Sequence, residues 1–213
     1  AHGVPVTMKT RLGIDEEQRE ILSFLPGEVA NWPWPEVLRT DEGLTQYALL
    51  LRDYHRAVAD FIPPANAIWR NPLATMPKSG ETIRHGDTGP WNTVWNGSRV
   101  AGFIDWDFAA PGTARDDVLE TIWHVTPLYS DDLCRQVGFE TPPDRYRRIE
   151  VFLSAYDSPV GLKTSEQAAE AVLELASRER ALTEELAKRG HEPWITLQKR
   201  RSELDQKFVW LEQ

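Results

Sequence analysis

The chain is poor in the features that would tie it to a membrane, an oxidising compartment or a nucleic acid. It has a single cysteine, Cys134, in 213 residues. That excludes an internal disulfide and points to a reducing compartment, the cytoplasm. No apolar run approaches the ~18–20 residues that cross a bilayer, and the N-terminus lacks the charged-then-apolar layout of a secretory signal. Basic residues are outnumbered, 24 against 33 acidic, for a net charge of −9. Nonspecific nucleic-acid binding rests on clustered Lys and Arg, so this balance argues against it. It is compatible with a small cationic partner. There is no GxGxxG loop, no GxxxxGK[ST] loop, no internal repeat and no low-complexity tract.

What is present suffices for a sizeable core, with 41% hydrophobic residues. The pattern is mostly helical. Leu44, Ala48, Leu51, His55, Val58 and Ile62 recur at three-to-four-residue spacing, which predicts a helix over roughly 42–60 ended by Pro63-Pro64. His55 on that face reads as a packed histidine. Trp32-Pro33-Trp34-Pro35 reads as a rigid aromatic turn that either lines a cleft or caps the core, and 63–80 as a long loop. Further helices are expected over 116–125, around Cys134, over 145–156, from Ser165 to about Arg189 with Gly190 closing it, and from Pro193 to about Trp210. The last carries Trp194, Leu197, Leu204, Phe208 and Leu211. Cys134 reads as a buried, inert thiol.

The informative stretch is Ile83–Gly112, where His85-Gly86-Asp87, then Asn92, then Asp105-Trp106-Asp107 occur in order. Thr93–Trp95 and Val100–Ile104 read as two short strands around the turn Asn96-Gly97, a strong hairpin signal. Such a hairpin returns Asp105 beside Asn92. Moving a γ-phosphoryl group needs a carboxylate to orient the acceptor hydroxyl and oxygen ligands to hold Mg²⁺ against the phosphates. Asp87 suits the first role. Asn92 and Asp105 suit the second, because Mg²⁺ prefers carboxylate and amide oxygens.

HGDxxxxN, a hairpin, IDWD, then Pro-Gly and an Asp five residues on resembles the aminoglycoside phosphotransferase and choline kinase branch of the protein-kinase-like fold. The resemblance implies that Asp87 is the catalytic-loop base and His85 the residue bracing that loop. It implies that Asn92 and Asp105 are the Mg²⁺ ligands, and that the buried Asp117 ties the loop down. Asp107 stays open between a partner of the metal site and a solvated carboxylate. Arg19–Leu25, preceded by Leu12–Ile14 and an acidic turn and ended by Pro26-Gly27-Glu28, resembles the last hairpin of the small kinase lobe and its hinge. In the family the hinge backbone binds the nucleotide base, which puts Ser23, Phe24 and Leu25 against the purine of ATP or GTP.

Only Ala1–Arg11 lie upstream of that hairpin. This is too little for the family's glycine-rich loop, its phosphate-steadying lysine and the glutamate that pairs with the lysine; Lys9 stands too close to the hairpin to match. Three expectations follow: a protein that lost the lobe, a partial chain or misplaced start, or a lobe supplied by a second chain. The expected architecture is α+β, a mostly helical kinase-like large lobe over 28–213 with a remnant hairpin and hinge over 1–27. The expected activity is Mg²⁺-assisted phosphoryl transfer to a hydroxyl of a small, cationic-compatible acceptor, with neither nucleic acid nor membrane as partner. The competing expectation is an inactive, kinase-derived binding or immunity protein that sequesters a small molecule or protein. An exposed hairpin edge also admits a homodimer.

Overall fold

The computed structural model describes residues 11–17 and 19–200. The expectations for Lys9 and for Leu204, Phe208 and Leu211 lie outside the described residues.

Among the described residues six α-helices are the main regular elements: α1 Asp41–Ala57, α2 Ala114–Val125, α3 Asp131–Gln136, α4 Arg145–Tyr156, α5 Ser165–Lys188 and α6 Trp194–Lys199. Their starts are chemically marked. The Thr40 hydroxyl accepts from the amide of Gly43, and Thr164 does the same for Gln167. Thr113 and Asp116 form a reciprocal capping box at the start of α2, which satisfies two amides that the helix itself leaves unpaired. α5 ends where expected, with Gly190 at φ +83°. α1 is shorter than its periodicity predicts, closing at Ala57, and Ile62 is 83% exposed. Ile62 matches the helical spacing but falls in irregular chain beyond the turn that follows the helix, so it never reaches the core.

α1 packs on α4, and α2 on α5. Leu44, Leu51, Ile122, Ile149, Phe152 and Val172 interlock there with no exposure. Burying each such side chain contributes about 1.5–3 kcal/mol before conformational entropy is deducted. Trp34 is also part of this core, edge-on to Phe139 at 6.0 Å, whereas Trp32 stays half-exposed. Cys134 is buried with its sulfur toward the Pro127 carbonyl, and burial pushes its thiol up.

Among the described residues there are three small antiparallel sheets. β1 Arg11–Ile14 pairs with β2 Glu20–Leu22, β4 Thr82–Arg84 pairs with β7 Ala110–Gly112, and β3 Glu28–Val29, β5 Thr93–Asn96 and β6 Arg99–Phe103 form a three-stranded sheet in that order. The β5–β6 hairpin turns one residue later than predicted. Asn96 pairs with Arg99, so the loop is Gly97-Ser98, and Ala101 is a bulge that resets the register. β3 was not foreseen: Pro26-Gly27-Glu28 reads as a stop, yet Glu28 and Val29 pair with Trp95 and Val94. Gly27 permits this at φ +136°, since a Cβ there would stand 2.5 Å from the Trp95 carbonyl oxygen. β2 ends at Leu22, three residues before the predicted end, and 23–25 is extended chain linking the two sheets.

Candidate active site

The β4–β7 ladder brings the two motif segments together, because β4 runs into His85 and β7 follows the turn after Asp107. Between them Gly86 takes φ +79°, and a Cβ on it would sit 2.4 Å from the Phe108 carbonyl oxygen. Only glycine allows that approach.

His85 is fully buried against Trp106, with ring centroids 4.2 Å apart. Its Nε2 faces the Ile104 carbonyl at 3.1 Å and its Nδ1 faces the Asp87 amide at 3.3 Å. A carbonyl can only accept and an amide can only donate, so the ring is the neutral Nε2–H tautomer. Burial lowers its pKa, outweighing the nearby negative charge of Asp117, in keeping with that form. Both nitrogens are thereby engaged in joining the two motif segments.

Asp117, on the first turn of α2, is completely buried beneath the loop. Its carboxylate accepts from the backbone amides of His85 at 2.7 Å and Gly86 at 3.0 Å, and pairs with His55 Nε2 at 3.1 Å. Burial by itself would raise this carboxyl. The His55 hydrogen bond, the positive Arg84 and the Gly86 amide outweigh burial and hold it below the usual carboxylate range. His55 in turn meets the Tyr156 hydroxyl at 2.8 Å. From α1, Tyr47 donates to the Thr88 carbonyl and Tyr54 to the Ile83 carbonyl, fixing the loop from behind.

Asp87 is held at both oxygens. Trp91 Nε1–H donates to Oδ1 at 3.0 Å, and Asn92 Nδ2 donates to Oδ2 at 2.8 Å and to the Asp87 carbonyl at 2.9 Å. Asn92 therefore spends its amide nitrogen on Asp87, which leaves the amide oxygen as its donor atom for a cation. The Ile104 amide donates to the Asn92 carbonyl at 2.9 Å, carrying the hairpin pairing up to the residue before Asp105. Asp105 is exposed and takes φ +60°, a strained conformation for a residue with a Cβ. Among the described residues no group of three or more His, Cys, Asp or Glu is arranged to hold a metal. One amide oxygen and one carboxylate fit Mg²⁺ bound mainly by phosphates and water.

Asp107 points elsewhere. It is exposed and ion-paired with Arg70 at 2.5 Å, and the Arg70 guanidinium lies over Phe108. Ser23–Leu25 lie between β2 and β3, with Leu25 buried and Phe24 83% exposed.

A cavity of about 260 Å³ opens beside Asp87. Gly86 and Trp91 line it from the loop, Glu120 and His124 from α2, Leu175 from α5 and Trp194 from α6. Sequence reasoning passed over Trp91, Glu120 and the two bracing tyrosines. The seven-residue spacing of Tyr47 and Tyr54 places them on one face of α1 and was the available signal. For Glu120 there was none, since a glutamate opposite Val118, Ile122 and Val125 reads as a solvated residue.

The sequence pattern of the phosphotransferase enzyme family matches residues 33–152, more than half of the chain. The chain belongs to that family. The family match takes in the loop from His85 to Asn92, Asp105 and Asp117 together. A curated relative, the trifolitoxin immunity protein of Rhizobium leguminosarum bv. trifolii, is 36% identical over 146 residues. Those residues are 68% of this chain and 54% of the relative, so the match spans about half of that protein's length. Among solved structures, the GDP complex of aminoglycoside 2'-phosphotransferase-IIIa overlays with a TM-score of 0.51 at 13% identity, covering 98% of this chain and 75% of that one. The family member described here thus has the kinase-like α+β fold of these enzymes, and no helix among its described residues is long and apolar enough to cross a membrane.

Proposed function

We propose that this chain transfers the γ-phosphoryl group of ATP or GTP to a hydroxyl of a small molecule. The observation that carries the reading is the joint held by Asn92: its amide nitrogen orients Asp87, while its backbone carbonyl accepts from the amide of Ile104, the residue before the strained Asp105. Such a joint would keep a base and a metal ligand in fixed relation, and phosphoryl transfer depends on positioning of that kind.

In this reading Asp87 accepts the proton of the acceptor hydroxyl as its oxygen bonds to the γ-phosphorus. The bond from that phosphorus to the β-phosphate bridging oxygen breaks, and the nucleoside diphosphate leaves. Asn92 and Asp105 would hold Mg²⁺, which when bound would neutralise charge on the phosphates. His85 and Asp117 hold the loop in place and neither gives nor takes a proton during transfer. The extended segment 23–25 receives the base. GTP stands beside ATP because the solved neighbour is a GDP complex. The phosphate-covering loop and its lysine have no counterpart among the described residues, and a second chain could supply them. The setting is the cytoplasm, as the single buried thiol suggests.

A second reading draws on the immunity protein, 36% identical to this chain: a lobe that protects by binding a toxic molecule without modifying it. Titration calorimetry with ATP and GTP, with and without Mg²⁺, separates the two. Phosphoryl transfer expects Mg²⁺-dependent nucleotide binding that Asp105→Ala removes and Asp87→Asn preserves. Absence of nucleotide binding in the presence of Mg²⁺ overturns phosphoryl transfer by this chain alone.

A further inference from the structure

Apart from Glu179, which pairs with Arg84, two carboxyl groups line the cavity, and the structure treats them in opposite ways. Glu120 has its Oε2 enclosed without a hydrogen-bond partner among the described residues. Burial, followed by the negative charges of Asp87 and Asp117, pushes this carboxyl well above the ordinary range despite Arg84. Asp87 instead receives a side-chain donor on each oxygen, Trp91 Nε1–H on Oδ1 at 3.0 Å and Asn92 on Oδ2 at 2.8 Å. Asn92 alone would fix one oxygen and leave the carboxylate plane free to turn about it. A donor on the other oxygen sets that plane. Each carboxylate oxygen carries two lone pairs, so the hydroxyl of an acceptor still finds a place on Asp87.

The indole that supplies this second donor has a built berth. Pro90–Asn92 form a 3-10 turn, closed by the Asn92 amide on the Gly89 carbonyl at 3.0 Å, and the turn brings Trp91 back over Gly89. A Cβ on Gly89 would stand 2.2 Å from the indole, so the ring lies where only a glycine leaves room. On its other side Trp91 meets His124 edge-on at 4.7 Å. His124 is buried, stacked on Trp123, and hydrogen-bonded through Nδ1 to the buried Tyr129 hydroxyl. Asp117 and His124 are seven residues apart on one face of α2. The first holds the loop backbone at His85 and Gly86; the second backs the ring that reaches the Asp87 side chain.

We infer that Trp91 is the positioning residue of Asp87: its indole N–H sets the plane of the carboxylate, with Gly89 as its berth and His124 as its buttress. The use of that plane in taking a proton rests on the phosphoryl-transfer reading, and the positioning rests on the geometry alone. An indole N–H only donates, so Trp91 offers nothing to Mg²⁺. Its loss should therefore act on transfer and spare nucleotide affinity.

The test is NMR of the full chain at neutral pH. Trp91→Phe keeps an aromatic ring and removes the N–H, whereas Gly89→Ala keeps the indole and displaces it. In both, the ¹³C-labelled Asp87 carboxyl carbon, assigned by its loss in Asp87→Ala, should shift more than that of any other aspartate. In Asp87→Ala the Trp91 indole proton should exchange with water at least about tenfold faster, as expected when a hydrogen bond to a charged group is removed. Packing alone would leave the carboxyl signal of Trp91→Phe where wild type has it. An unmoved Asp87 signal in either variant, or unchanged indole exchange, overturns the inference.

Hydrolysis of ATP and GTP with Mg²⁺ gives a second readout. Here the water oxygen bonds to the γ-phosphorus, the bond to the β-phosphate bridging oxygen breaks, and Asp87 takes the proton. Trp91→Phe should lower kcat about 10- to 100-fold with KM unchanged, and a raised KM at unchanged kcat overturns the inference. Absence of turnover in wild type counts against the phosphoryl-transfer reading and leaves the carboxyl signal to decide the positioning, so either proposal can fail while the other stands.

Discussion

Replacing Asp117 by Ala should be the most damaging single change at the site, and the structure permits the size to be worked out. The carboxylate accepts two backbone amides and an imidazole at zero exposure. Hydrogen bonds to a charged group are worth about 1.5–3 kcal/mol each, and stripping one partner from a buried pair costs about 3–5 kcal/mol. Relief of the carboxylate's own desolvation offsets part of this, so a loss of about 4 kcal/mol is expected. For a chain of 213 residues that corresponds to a fall in Tm of roughly 8–16 °C. The sign of the pH dependence follows from the depressed carboxyl. Its contribution is fully present above the unfolded-state value of about 3.9 and is lost as pH falls through the lower folded-state value. Urea unfolding of wild type and Asp117→Asn at pH 7 and at pH 3 should therefore show a gap that narrows in acid. A loss under about 1 kcal/mol for Asp117→Ala, or a wild-type to Asn gap independent of pH, would refute the claim that this carboxylate anchors the loop.

Glu120→Met should raise stability at neutral pH by about 1–3 kcal/mol, the cost of an unsatisfied buried group. Because the folded-state carboxyl is raised, wild type should lose stability relative to this variant as pH climbs from the unfolded-state value of about 4.3 through the higher folded-state value, and equal melting temperatures at pH 7.5 would contradict this. Asp105→Gly should be about 1–2 kcal/mol more stable than Asp105→Ala, since glycine tolerates φ +60°, while both lose Mg²⁺-dependent nucleotide binding; identical unfolding midpoints would show that the site is unstrained. Gly86→Ala should abolish nucleotide-dependent turnover by pushing the loop off the Phe108 carbonyl, a displacement readable as altered tryptophan fluorescence from Trp91 and Trp106. Cys134 should react with a maleimide only on unfolding, so rapid labelling of the native chain would contradict its burial.

Local rules carried well where the deciding physics is local. The caps, Gly190 and the apolar spacing of α1 and α2 specify helices within a few residues, and the order His85, Asp87, Asn92, Asp105, Asp117 is chemically legible because each residue type suits one task. They failed where pairing partners are distant. β3 is two residues long and exists only because Trp95 and Val94, some 65 positions on, offer their backbone. The one-residue shift of the hairpin turn follows from the bulge at Ala101, which local turn propensity does not contain.

By itself, then, the sequence determined the family, since the order and spacing of His85, Asp87, Asn92, Asp105 and Asp117 can be read from the chain, and it determined the helices that carry them. The tertiary structure alone decided which side chains meet around the cavity beside Asp87. Trp91, Glu120, Leu175 and Trp194 reach one cavity from four separate elements, and nothing in their neighbours along the chain announces that meeting. A glutamate on a helix face is a solvated charge or an enclosed carboxyl according to what packs over it, and that is settled by long-range packing rather than by period or composition.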